Sequence, residues 1–398
     1  MTGNVDSLVK VQRFTAASWS CYGICAALLF TPLIASAAAA PIPARHGPSA
    51  ASATVPVRLP ARVLEPVKLY TGLNRSILLK AHPASGGMLL TLHDGAGQKL
   101  AEAKWDGDDL GMMLPQVWSS KASTVFYVQA NEPAVGDAPA RPIGAPMVVQ
   151  QLTAPRRAVL DRRTPERPVV VFPELAPEKV GVISGVRCYV LCDVHMQTTA
   201  GDLFFRLRAD CAPNTAWNFR ELVAGGFYDG TDFFRIVAAG SRTGKGFVVQ
   251  GGDPTNAEPF EGGPGYDIDL EASTLPHGYG VLSMARDTEP DTAGSQFFIA
   301  LTREETARLD GQYAAFGQLL ATPAAEPAEQ PASEPAAKQA ARGPVEVLGR
   351  IAASPLKAGK VDRAAEPVRL LRATLVDAPP LGTGAPILKL EGNAPGAR

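Results

Sequence analysis

Gly226-Phe227-Tyr228-Asp229-Gly230-Thr231-Asp232-Phe233-Phe234-Arg235 and then Phe247-Val248-Val249-Gln250-Gly251-Gly252-Asp253-Pro254 are the most informative stretches of this chain. Both read as aromatic and β-branched strand-length runs, and Gly251-Gly252 reads as turn geometry. Just upstream, Ala216–Gly225 has a helical pattern, with Asn214 or Thr215 to cap it and Gly225-Gly226 to stop it. Before that helix, Arg187–Gln197 and Asp202–Arg208 read as strands joined by Thr-Thr-Ala-Gly at 198–201. Mixed strands follow until Phe316. Pro323, Pro327, Pro331 and Pro335 then recur at every fourth residue, which removes helix hydrogen bonds and leaves an extended loop. Val345–Ala353 reads as a short helix and Val368–Val376 as a strand.

The chain has 398 residues, more than one ordinary domain at about 150 residues each. A net charge of −1 gives no electrostatic reason to bind nucleic acid. Hydrophobic residues at 46% and charged residues at 19% describe a globular chain with a core to bury. The five cysteines form no CxxC pair, so neither a disulfide-dense miniprotein nor a structural zinc site is indicated.

Lys10 and Arg13 precede an apolar stretch from Trp19 to Ala40 that ends in small residues. A basic flank, an apolar core and an Ala-x-Ala exit are the parts of a secretory signal peptide, here residues 1–38. An uncleaved membrane anchor is the competing reading. Either way the remainder is exported, to the periplasm or the exterior. Residues 39–54 read as a linker. From 55 to 178, short apolar runs such as Val63–Tyr70, Met88–His93, Thr124–Gln129 and Pro146–Leu152 alternate with turn residues, which predicts a β-sandwich. His82 and His93 are lone imidazoles without partners at metal spacing. No constellation here carries chemistry, and a cell-envelope ligand for this half stays open.

From 184 to 377 the chain resembles the cyclophilin-type peptidyl-prolyl cis-trans isomerases. The stretches quoted above carry that resemblance, together with Ala212-Pro213-Asn214-Thr215-Ala216-Trp217-Asn218-Phe219 and Gly262-Gly263-Pro264-Gly265-Tyr266. Leu282-Ser283-Met284-Ala285-Arg286, Ala293-Gly294-Ser295-Gln296-Phe297-Phe298-Ile299 and Leu309-Asp310-Gly311-Gln312-Tyr313-Ala314-Ala315-Phe316-Gly317 continue it in family order. The resemblance implies a closed eight-stranded β-barrel capped by two helices. It implies Arg235 as the catalytic cation and Gln250 as the residue that orients it. Phe247, Val248, Phe298 and Leu309 would wall the proline pocket, with Tyr313 beside them. Ala285 and Arg286 would offer main chain to the substrate, and Gln296 would line the groove. The implied partners are proline-containing polypeptides, and neither a metal nor an organic cofactor is called for.

The chemistry can be reasoned from the residues as well. Amide resonance makes X–Pro isomerisation slow, and a catalyst must grip the ring and stabilise the twisted amide without covalent chemistry. An apolar pocket beside a permanently charged guanidinium meets both needs. A non-catalytic module that binds proline segments, as chaperone or scaffold, is the alternative.

Three residues and two insertions depart from the family pattern. Phe234 and Tyr313 stand where many members carry histidine. Arg308 stands where several carry tryptophan, which predicts weak or no cyclosporin binding. Residues 238–246 are inserted between the catalytic arginine and its pocket, to be read as a basic lip or a passive extension. A second insertion spans 321–343, and 378–398 reads as a flexible tail. With the hairpin turning at 198–201, Cys188 falls opposite Cys211, so a disulfide between them is expected in an oxidising compartment.

Overall fold

The structure is a computed structural model that describes residues 62–82, 87–119, 124–134, 139–164, 168–321 and 343–384. The export segment, the linker, the four-spaced prolines and the end of the tail lie outside these residues.

The N-terminal half holds β1 (Leu64–Pro66), β2 (Tyr70–Gly72), β3 (Leu79–Ala81), β4 (Leu89–Asp94) and β5 (Lys99–Lys104). A single helical turn, α1 (Leu110–Met113), precedes β6 (Val125–Glu132), β7 (Arg141–Thr153), β8 (Val159–Asp161), β9 (Val169–Val171) and β10 (Ile183–Val190). Six of these strands form a sheet in the order β2-β10-β7-β6-β4-β5. The β4–β5 turn closes on the Asp94 carboxylate, which accepts from Ala96 and Gln98 N–H, as an Asx turn should. The short ribbon β1–β3 covers one face of the sheet, where Leu64, Ile77 and Leu79 meet Phe126, Val128, Met147 and Val149 in one buried cluster. The β-rich half predicted as a β-sandwich is therefore one six-stranded sheet with a two-stranded ribbon on one face.

The other half closes into a barrel. Its strands are β11 (Cys192–Thr198), β12 (Gly201–Leu207), β13 (Asp232–Val237), β14 (Val248–Gly251), β15 (Val281–Met284), β16 (Phe297–Ala300), β17 (Ala315–Leu319) and β18 (Arg363–Asp377). They are ordered β11-β12-β17-β15-β16-β14-β13-β18. The helices are α2 (Pro213–Ala224), the single turn α3 (Arg303–Thr306) and α4 (Pro344–Ala352). Strand side chains alternate in and out. Accordingly Ile236, Val249, Phe297 and Ile299 are all essentially inaccessible to solvent. Phe219 of α2 meets the rings of Tyr228, Phe297 and Phe316, while Val347, Leu348 and Ile351 of α4 join the same core. Each such side chain stabilises the fold by about 1.5–3 kcal/mol through burial.

Three expectations are corrected. Helix α2 begins at Pro213, with Asn214 and Thr215 inside it, and neither caps it. The cap comes from a distance instead: the Glu271 carboxylate accepts the N–H groups of Asn214 and Thr215 at 3.1 and 2.7 Å. The strand predicted over 187–197 is two strands in two sheets, broken at Leu191. β10 pairs with β7 in the N-terminal sheet, whereas β11 pairs with β12 and β18 in the barrel. Leu191 links them, donating to Pro146 O and accepting from Ala378 N–H.

That break removes the predicted disulfide. The hairpin does turn at 198–201, but Cys188 lies opposite Val149 in the other sheet. Cys188, Cys192 and Cys211 are free and buried, with Cys188 and Cys211 in separate clusters. Burial pushes the Cys188 and Cys211 thiols up to about 12 and about 11, which keeps them protonated and poorly nucleophilic.

Candidate active site

Antiparallel register brings the site together. Arg235 of β13 faces Gln250 of β14, and Gln250 faces Phe298 of β16. Their strand neighbours Ile236, Val249 and Phe297 fill the barrel, so these three project from its outer side.

Arg235 is held on two sides. Its Nη1 donates to Gln250 Oε1 at 3.1 Å and its Nε to Asp362 Oδ2 at 3.0 Å. Its Nη2 makes no hydrogen bond among the described residues, and its side chain is 36% exposed. Gln250 is fixed in turn, donating from Nε2 to Gln296 Oε1 at 3.0 Å. Gln296 donates to Phe260 O and Gly262 O. The result is a charged group pinned through its inner nitrogens with one nitrogen left toward the surface.

Beside it, Val248, Phe298 and Leu309 form a small buried cluster flanked by Phe247, Ala285 and Tyr313. The Tyr313 ring meets Phe298 edge-on at 5.7 Å. Arg308 lies 4.5 Å over the Phe247 ring. Phe234, at the first departure, stacks on Phe260 at 4.3 Å and lies outside the apolar cluster. All eight pocket and groove residues expected from sequence thus fall in one neighbourhood with the two expected catalytic ones. Arg286 has a different use for its side chain. Its guanidinium is taken up by the carbonyls of Gln312, Asp287 and Thr288 and lies over the Tyr313 ring at 4.5 Å. Only its main chain remains to meet a ligand.

Two supporting groups were not legible beforehand. Asp362 immediately precedes β18, far in sequence from Arg235, and no local pattern marks it. His277 lies beneath Phe298, its ring stacked at 5.8 Å, with Nε2 against Ser283 Oγ at 2.9 Å and Nδ1 against Asp310 Oδ1 at 3.0 Å. Burial lowers the His277 pKa despite the opposing pull of Asp310. Burial alone would raise the Asp310 pKa, but bonds from Arg303 and His277 outweigh it and hold that carboxyl below its ordinary value. The neutral imidazole therefore braces the pocket floor and the loop carrying Leu309 and Tyr313.

The 238–246 insertion, read from sequence as a basic lip or a passive extension, is fastened down at several points. Glu305 accepts from Thr243 N–H and Oγ1 and from Arg242 N–H, and Lys245 pairs with Glu304 at 2.7 Å. At Gly240 a Cβ would lie 2.4 Å from Glu305 Cδ, so a larger residue there would have to displace that side chain.

Residues 193–324 match the family model described as cyclophilin type peptidyl-prolyl cis-trans isomerase/CLD. The chain is similar to peptidyl-prolyl cis-trans isomerase-like 1 of Gibberella zeae, 31% identical over 188 residues, covering 46% of this chain and 95% of that protein. It is also similar to a peptidyl-prolyl cis-trans isomerase of Synechococcus elongatus, 41% identical over 123 residues, 31% of this chain and 77% of that one. A solved cyclophilin-type isomerase of Cryptosporidium parvum, crystallised in the presence of the dipeptide Ala-Pro, is 27% identical, with a TM-score of 0.36 over 47% of this chain and 99% of that chain.

Proposed function

Because this chain belongs to the cyclophilin-type peptidyl-prolyl cis-trans isomerases, we propose that it accelerates X–Pro isomerisation in exported polypeptides and so assists their folding outside the cytoplasm. The observation that carries the chemistry is the double anchoring of Arg235 beside the cluster of Val248, Phe298 and Leu309. The proline ring enters that apolar cluster. As the amide twists, resonance is lost, and the nitrogen becomes a hydrogen-bond acceptor that Arg235 Nη2 can serve. The free amide barrier is about 18–20 kcal/mol. A donor already held in place lowers it without reorganising during the reaction. Asp362 and Gln250 supply that preorganisation, so no proton transfer or covalent bond is needed.

The exported setting is supported by the basic flank, apolar run and small-residue exit of residues 10–40. Fractionating the cells and sequencing the mature N-terminus checks it: a full-length cytoplasmic protein refutes export. Arg308 over Phe247, where a ring donor would be needed, supports weak cyclosporin inhibition, measurable by titrating the drug against activity. The primary test is acceleration of cis–trans exchange in a short proline peptide. Failure of the folded protein to accelerate it would favour the non-catalytic binder.

A further inference from the structure

The ribbon β8–β9 belongs to the N-terminal half by sequence, yet it is docked on the isomerase site. Val170 N–H donates to Gln312 Oε1 at 2.7 Å, and Gln312 Nε2 returns a bond to Val170 O at 3.3 Å. Gln312 adjoins Tyr313 in the pocket cluster, and its own carbonyl holds Arg286. Arg162, just past β8, pairs with Glu289, just past Arg286. Ala158 and Val170 are buried against Leu270 and Ala314. The ribbon is thereby fixed against both loops, 285–292 and 309–314, that border the proline pocket.

Its other face is open. On that side Asp161, opposite Val169, is held by Arg163, and beside it stand the three valines Val159, Val171 and Val169. They are 45%, 39% and 47% exposed, while Val170 on the reverse side is 4% exposed. Among the described residues β8 pairs only with β9, which leaves its outer edge open to an added strand. Val159 also lines a cleft of about 600 Å³ in which Leu175 and Val182 sit among charged residues that include Arg156, Arg157 and Glu174. Solvated β-branched residues on an unpaired edge suit an extended apolar chain better than a folded surface or a charged ligand.

Resting on the isomerase reading, we infer that this valine face is a second binding surface for the polypeptide whose proline occupies the pocket. It takes extended apolar residues flanking that proline, and continuity with the pocket through Gln312 makes both contacts available to one chain. A tetrapeptide, at most about 14 Å long when extended, makes fewer of these flanking contacts than an unfolded protein does.

The test compares two substrates, a tetrapeptide and an unfolded protein whose refolding is limited by prolyl isomerisation, using the full-length protein. The triple variant Val159→Thr, Val169→Thr, Val171→Thr keeps β-branched side chains and the buried face. A second variant, Val169→Glu, places one charge on the same face. Both are expected to keep tetrapeptide kcat/KM within about twofold and to lose about tenfold in kcat/KM for the unfolded protein, a change of about 1.4 kcal/mol. Unchanged catalysis of refolding in both variants overturns the inference. Equal loss on both substrates also overturns it, showing that the ribbon only shapes the pocket. A wild-type protein inactive on the tetrapeptide instead sinks the isomerase reading on which the inference rests.

Discussion

In β14 and β16 of the barrel, Val249, Phe297 and Ile299 point into the core while Gln250 and Phe298 stand on the outer side. In β6 of the N-terminal sheet, Phe126 and Val128 face the β1–β3 ribbon, and Val125 and Tyr127 join the barrel's own core. The alternation is the same in both regions, but the coverage differs. A central sheet strand is packed on both faces and has no side left for chemistry. The barrel strand has one face committed to packing and one free to carry an arginine, a glutamine and a ring. In the inference drawn above, the N-terminal half contributes through the separate ribbon β8–β9 and not through the middle of its six-stranded sheet.

The comparison can be tested from the largest effect downward. Phe297→Ala empties the barrel centre and is expected to lower stability by about 3–5 kcal/mol in a denaturant titration. A loss of under about 1 kcal/mol would mean the barrel is not closed around that ring. On the outer face, Arg235→Ala should reduce kcat/KM about 10²–10³-fold while the melting temperature stays put. If folding falls with activity, Arg235 is structural and the division between inner and outer faces fails. Asp362→Asn keeps an acceptor for Arg235 Nε but removes the charge. It is expected to lower kcat about tenfold with KM unchanged, since ion-assisted bonds contribute about 1.5–3 kcal/mol; a rise in KM alone would contradict a positioning role. In the sheet, Tyr127→Phe removes the bond to Asp210 at 3.2 Å and should cost about 1 kcal/mol with full activity retained.

The smallest expected effect is a slope with pH. His277 has a depressed pKa in the folded protein, so between that value and the unfolded value near 6.5 only the unfolded chain takes up the proton. Stability from this group is present above about pH 6.5 and is lost as pH falls through that window. Melting curves from pH 7 to 5 should show a shallower decline in His277→Asn than in the wild type. Identical slopes would place the imidazole outside the titrating set.

The recognition runs of the barrel were legible because period-two alternation and motif order are local properties. So the family resemblance those runs carry grouped Arg235, Gln250, Phe247, Val248, Phe298 and Leu309 before any coordinates. Asp362, His277 and the Glu271 cap could not be, since each acts on a residue brought near only by closure of the barrel. The Cys188–Cys211 pairing shows the opposite error. Its register was right for the hairpin, but nothing local shows that β10 leaves for another sheet at Leu191. An inter-sheet exchange depends on β7, whose 13 residues offer a longer partner than the hairpin does.

By itself the amino-acid sequence determined the barrel class, through the family resemblance its ordered motifs carry, and the identity of the charged and apolar groups, because motif order and side-chain chemistry are both written along the chain. Tertiary structure alone decided which nitrogens of Arg235 are held by Asp362 and Gln250. It also decided that the 238–246 insertion is pinned by Glu305, and that a ribbon from the N-terminal half borders the pocket. Those outcomes depend on which distant groups meet once the strands close, and the free energy of such meetings is not written in any one segment.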